Sequence, residues 1–260
     1  MSDLTPVVFL AHGSPMTTLG TGPFVQHLRN LGRVLPKPKA ILMVSAHWQT
    51  RIPALTSAAK PKTIHDFSGF PPELHAIQYP APGSLPLVER LVELLQGTEV
   101  ELDEAWGFDH GTWTVLRHVF PAADIPVVQL GMGKRMRPRD HYELARRLRP
   151  LRQEGIMVMG SGNIVHNLGT IDWDESAPSH AETVEFDARI AKALKEGDLD
   201  TVIDIRRDHP LDRAAHPTIE HFLPLVYCLG AVEASDPIRF SYEGYQHASL
   251  SMRSVVWGGE

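Results

Sequence analysis

Ile41-Leu42-Met43-Val44-Ser45-Ala46-His47-Trp48 is the stretch that decides how the chain is read. Four apolar residues follow one another without alternation, as in a strand covered on both faces of a parallel sheet, and the run stops at a histidine. Ligands of open α/β sheets bind beyond the carboxyl ends of the strands, so His47 is expected at such an edge. Toward the N-terminus, residues 7–10 form a second apolar run that leads through Ala11 to His12 and then Gly13-Ser14-Pro15. Between the two runs, Phe24, Leu28, Leu31 and Leu35 recur at helical spacing, and Pro36 and Pro38 stop the helix. The order is strand, helix, strand. If the two strands are neighbours, about 4.8 Å apart, their histidines are close enough to share one ion.

Toward the C-terminus, residues 63–83 are aromatic, rich in proline and without periodicity, as expected of a lid or binding loop. Phe67, Phe70 and Tyr79 in it are expected either to wall a flat apolar substrate or to pin the loop to the core. Helices are expected over 86–96, 112–119, 137–151, 180–193 (Val184 among its inward residues) and 199–206. Strands are expected over 99–102, 125–130, 156–159 and 239–242, with a further one near 252–257. The third strand to run into a histidine-bearing loop is 156–159, which continues through Gly160-Ser161-Gly162-Asn163 to His166. Pro217 suits the first turn of a helix reaching Leu229, with Ile219, Phe222, Leu223, Val226 and Leu229 on one stripe. At 100° per residue His221 then lies off that stripe, facing a cleft or water.

The bulk properties exclude several classes. At 260 residues, 43% hydrophobic and 22% charged, the chain reads as one soluble α/β domain over residues 1–260. Its expected core is a central, largely parallel or mixed sheet flanked by helices, with a metal site at the strand ends. No apolar run approaches the roughly 18 residues of a membrane span, and no signal peptide is visible, so a cytoplasmic protein is expected. A formal charge of −6 argues against nonspecific nucleic-acid binding. Cys228 is the only cysteine, which removes disulfides and thiolate metal sites.

Fourteen histidines is the unusual count. His12, His47 and His166 stand out because each follows an apolar run among small residues that leave room for an ion or ligand. His110, within Asp109-His110-Gly111, shares the glycine context but follows no clear strand. His27, His118, His141, His180 and His209 are expected to be solvated, and His65, His75 and His247 are undecided. A site of imidazoles and oxygens without thiolate suits iron(II), zinc, manganese or nickel. Glu220 and His221 both qualify as a third ligand: the carboxylate would complete a facial triad, the imidazole a three-histidine site.

Five segments taken together resemble the class III extradiol aromatic ring-cleaving dioxygenases, and within them the branch that opens DOPA. They are Ala11-His12-Gly13-Ser14-Pro15, Ser45-Ala46-His47-Trp48, the 66–83 loop, residues 160–167 around His166, and residues 216–224 around His221, with 242–254 as a further match. The resemblance implies Fe(II)-dependent opening of a catechol by O2 to a ring-opened semialdehyde. It implies His12, His47 and His221 as metal ligands, with zinc as an alternative bound ion and His166 as a possible fourth ligand. It also implies His166 as the base that takes a hydroxyl proton and His110 as a proton donor, with a small aromatic diol and O2 as partners and neither nucleic acid nor membrane. Rival readings are a zinc hydrolase on the same imidazoles, a tetrapyrrole chelatase, which shares only the first strand and its His-Gly-Ser, and a non-catalytic binding protein that has kept the fold.

Overall fold

The computed structural model describes residues 4–205 and 209–259. In chain order the elements are β1 Val7–Ala11, α1 Pro23–Val34, β2 Ala40–Thr50, β3 Ala54–Thr56, the one-turn α2 Pro72–His75, α3 Leu85–Leu94, β4 Glu101–Asp103 and α4 His110–Val119. They continue as β5 Val127–Gly133, α5 Pro138–Arg146, β6 Ile156–Gly162, α6 Ala181–Glu196, α7 Leu199–Ile203, α8 Pro210–Ala215 and α9 Leu223–Ala231. The chain closes with β7 Ile238–Tyr242, the short pair β8 Tyr245–Gln246 and β9 Leu250–Ser251, and β10 Ser254–Trp257.

Eight strands form one mixed sheet in the order β4-β3-β5-β2-β6-β1-β10-β7. Its centre, β5-β2-β6-β1, is parallel throughout, and antiparallel pairings of β3 with β5, and of β10 with β1 and β7, extend it on both sides. The unalternating run of β2 is explained by this position. Ile41, Leu42, Met43 and Val44 are all fully buried. Ile41 and Met43 join the core under α1 and α4, whereas Leu42 and Val44 join the core under α3, α5, α6 and α9. Each such aliphatic side chain contributes about 1.5–3 kcal/mol relative to leaving it in water. The fold is therefore a single α/β domain with helices on both faces.

Several sequence expectations change. β1 and β2 are not neighbours: β6 pairs with both and lies between them. His12 and His47 nevertheless meet across the end of β6, their Nε2 atoms 3.1 Å apart. The helix expected from Pro217 begins only at Leu223, with residues 217–222 in bends and turns. Pro224 is the cause. Inside a longer helix it would lack an N–H and clash with the carbonyl four residues back, so it sits in the first turn instead.

The helix expected over 137–151 breaks after Arg146, and a 3-10 turn, Arg149–Arg152, follows around Pro150. Val184 of α6 is 41% exposed, and Phe186 fills the core in its place. The helix expected over 199–206 ends at Ile203, and residue 206 lies outside the described residues. His118 and His141 are buried rather than solvated. The ring of His118 meets Thr17 O at 3.1 Å and that of His141 meets Tyr227 Oη at 2.9 Å. Among the described residues no helix is long and apolar enough to cross a membrane.

Candidate metal and catalytic site

His12 is the first residue past β1, and its N–H donates to Gly162 O at 3.1 Å, fixing the start of the loop against the end of β6. His47 lies within β2, not beyond it. Pairing with β5 runs to Val44↔Leu130 and resumes at Gln49↔Met132, so residues 45–48 stand opposite Gly131 alone. Such a bulge disrupts the ladder and re-aims a side chain, and here it turns His47 toward His12. His221 comes from the turn before α9. Its carbonyl accepts from Asn163 N at 2.8 Å, and a Cβ on Gly162 would stand 2.1 Å from that oxygen. Only glycine at 162 lets the two segments approach this closely.

The three imidazoles converge. One nitrogen from each of His12, His47 and His221 lies within 4.8 Å of the others, and the Nε2 atoms of His12 and His47 are 3.1 Å apart. The Nδ1 atoms are held outward. Ser161 Oγ donates its single proton to Gly111 O, which leaves its lone pairs for His12 Nδ1–H at 3.0 Å. Nδ1 of His221 lies 3.2 Å from Glu220 Oε1, which also accepts from Thr218 Oγ1. Nδ1 of His47 lies 3.5 Å from Asp66 Oδ2. Protons on the outer nitrogens leave lone pairs on the inner ones, the arrangement that orients histidines toward a metal. Glu220 therefore sits behind His221 and not beside it in the cluster.

Burial holds the set neutral. His12 and His221 are 1% and 6% exposed, and both titrate well below the ordinary histidine range, first because they are buried and then because of the imidazoles around them. His47 is lowered by burial and by His110, partly offset by Asp66. Neutral imidazole is the form that binds a cation, and a thiolate-free trio of this kind fits a borderline divalent metal such as iron(II) or zinc.

His166 is close but not convergent. Its ring lies flat on that of His221, with centroids 3.4 Å apart and planes within 4° of parallel. The ligand atoms that lie within 4.8 Å of one another are those of His12, His47 and His221, and His166 is not among them, so the fourth-ligand expectation finds no support in this grouping. Burial, followed by the neighbouring His216 and His110, brings its pKa down to about 3, so it is neutral at neutral pH. His110 begins α4, with Asp109 as its N-cap, and its ring centroid is 3.8 Å from that of His47.

Of the aromatic residues in the 63–83 loop, Phe67 packs 5.6 Å from His110, and Phe70 packs edge-on to Phe67 at 5.3 Å. Both are only half-buried. Tyr79 does not reach the site. It is 2% exposed, lies in the core beside Phe108, and its hydroxyl donates to Phe120 O at 3.0 Å. The hydroxyl finds its partner in the interior, which decides for Tyr79 between wall and anchor.

Sequence reading overlooked what lies beneath the histidines. Asp109 is completely buried and accepts from Ser45 Oγ at 2.6 Å, from Thr112 N at 3.1 Å and from Gln129 Nε2. Burial, then the charge of Asp66, pushes it up to about 6, and the hydrogen bonds from Ser45 and Gln129 act in the opposite direction. The one signal for it was an aspartate at a helix start. Asp66 and Ser161 gave no periodic or spacing signal, because they act through contacts between segments far apart in sequence.

Comparison with known proteins agrees with this geometry. The family described as the catalytic LigB subunit of aromatic ring-opening dioxygenase matches residues 6–256. A protein of Escherichia coli K12 named 4,5-DOPA dioxygenase extradiol is 45% identical over 260 residues, covering 99% of this chain and 96% of its own. One of the same name from Portulaca grandiflora is 38% identical, covering 95% and 93%. The crystal structure of an uncharacterized Escherichia coli K12 protein superposes with a TM-score of 0.86 at 41% identity, covering 98% of this chain and all of that one. With an eight-stranded mixed sheet, histidines gathered from the end of β1, the bulge of β2 and the turn before α9, and a match along nearly its whole length, the chain belongs to the family of the catalytic LigB subunit of aromatic ring-opening dioxygenases.

Proposed function

We propose that the protein is a metal-dependent extradiol dioxygenase that opens the ring of a DOPA-like catechol with O2 and gives a ring-opened semialdehyde. The observation that carries this is the convergence of His12, His47 and His221, each with its outer nitrogen facing an oxygen and its inner nitrogen facing a common centre. These three residues would hold one divalent ion, iron(II) for turnover, and zinc suits the same donors. When bound, such an ion would supply Lewis acidity and a route for electron density between catechol and dioxygen. The DOPA-like substrate is supported by the names of the relatives, which are 4,5-DOPA dioxygenases.

The chain's own residues then divide the remaining work. Phe67, packed beside His110, and Phe70, packed edge-on to Phe67, would offer aromatic faces to the ring of the substrate. His166, neutral and stacked on His221, would take a hydroxyl proton from the catechol. His110, whose ring packs against that of His47, would return a proton as the ring opens. A pair of titratable side chains beside the three converging imidazoles supports an enzyme over a binding protein of the same fold, because binding alone needs no acid and base.

The test is anaerobic reconstitution with Fe(II), addition of DOPA or catechol, and then admission of air. Oxygen uptake with a new near-ultraviolet or visible absorbance is the expected result. No uptake with any catechol, combined with hydrolysis of model esters by the zinc form, would overturn the proposal in favour of a hydrolase.

A further inference from the structure

Asp66, so far only the oxygen that faces the outer nitrogen of His47, also touches His110. It sits at the start of the aromatic loop, 44 residues away in sequence from the helix it touches. Its Oδ1 accepts from the backbone N–H of His110 at 2.8 Å, and its Oδ2 lies 2.9 Å from His110 Nδ1. That same Oδ2 is 3.5 Å from Nδ1 of His47. The side chain is 17% exposed and that of His110 8%, so this pair is shielded from solvent far more than a surface ion pair. Among the described residues, Nε2 of His110 has no hydrogen-bond partner.

A carboxylate can only accept at Nδ1, so the neutral ring must carry its proton there, and Nε2 is left as the nitrogen through which His110 exchanges protons. We propose that Asp66 is the positioning residue of this site: by accepting at Nδ1 it fixes the ring and tautomer of His110, so that Nε2 is the nitrogen at which His110 takes up a proton and then passes it on. The two bonds from one carboxylate, to the backbone and to the ring of the same residue, remove rotation of the imidazole about its side-chain torsions. An aspartate that accepts from the far nitrogen of a catalytic histidine plays this part in serine proteases, where an asparagine in its place leaves the geometry intact, imposes the wrong tautomer and lowers kcat by about 10⁴-fold. The same logic applies here to a histidine whose task is donation. The inference rests on His110 acting as proton donor in the proposed reaction, but its central statement, the tautomer, is readable without turnover.

The test compares wild type with Asp66→Asn and Asp66→Glu as full-length protein at saturating metal. In ¹⁵N-histidine spectra of the zinc-loaded protein, wild-type His110 should carry its proton on Nδ1. Asparagine can keep the backbone bond through its carbonyl, but its amide must donate to Nδ1, so in Asp66→Asn the proton should move to Nε2. In the Fe(II) form of Asp66→Asn, kcat should fall by about 10²–10⁴-fold. Metal affinity should weaken because Asp66 also faces His47 Nδ1, so kcat is compared per bound metal, where KM should change little and Asp66→Glu should recover part of kcat. An unchanged tautomer, an unchanged kcat, or a fall in melting temperature with the tautomer unmoved would overturn the proposal, the last by showing that Asp66 merely latches the loop to α4. If wild type itself turns over no catechol while the tautomer shifts as described, the dioxygenase reading fails and the role of Asp66 stands.

Discussion

His47 shows how one side chain can be both part of a sheet and part of a site. Its backbone belongs to β2, but the bulge takes it out of the ladder, and its Nε2 faces that of His12 at 3.1 Å. Two lone-pair-bearing nitrogens at this distance repel unless a proton or a cation lies between them, so removing either should release the ion. We expect His47→Ala and His12→Ala to lose bound metal almost completely under metal analysis after dialysis. His166→Ala should separate the two functions, because its ring stacks on His221 and does not converge with the ligands. Its metal content should stay near that of wild type while oxygen uptake falls by about 10²–10⁴-fold, the usual size of a lost general base. If the metal goes as well, His166 belongs to the ligand set.

At the scale of elements, the site depends on segments that approach each other unusually closely. Gly162, at the end of β6, allows the carbonyl of His221 to reach Asn163, and a methyl group there would stand 2.1 Å from that oxygen. Gly162→Ala should therefore displace the turn before α9, cost about 1–3 kcal/mol in denaturant unfolding, and weaken metal binding more than its distance from the ion suggests. The C-terminal strands are tied to α6 by a different device. Asp187, 1% exposed, accepts from Arg253 Nε and Nη2, from Ser251 Oγ at 2.6 Å and from Tyr245 Oη at 3.0 Å. Removing the carboxylate would leave a buried guanidinium short of its partner. Asp187→Ala is expected to cost about 3–5 kcal/mol, measured by urea unfolding of the metal-free protein.

Over the whole molecule, the buried histidines make stability depend on pH even away from the metal site. Burial brings His141 and His216 down to about 4 from the ordinary 6.5. Between those values the unfolded chain binds protons that the folded chain does not, so stability should be constant above about pH 6.5 and fall steadily toward pH 4, by on the order of a few kcal/mol in total. Urea midpoints of the metal-free protein across that range check the sign.

The same distinction between local and distant information explains what could be read from the sequence. The buried strands, the histidines that end them and the single α/β domain were legible because each is a local pattern: an unbroken apolar run, then small residues, then an imidazole. The place of β6 between β1 and β2, the bulge at His47 and the partners Ser161, Asp66 and Asp109 were not, because strand order and second contacts join segments that no periodicity links. Pro224 was visible in the sequence but was outweighed by an apolar stripe that ran across it.

If the three converging imidazoles hold a metal at which dioxygen opens a catechol ring, the product must carry both oxygen atoms. The most direct measurement is the mass of the product formed by the Fe(II)-loaded protein from catechol or DOPA under ¹⁸O₂, trapped by reduction before its carbonyl exchanges with water. Both oxygen atoms of dioxygen should appear in a ring-opened product from wild type, and no such product should form with His47→Ala. A product without the label, or a quinone that keeps the ring intact, would contradict it.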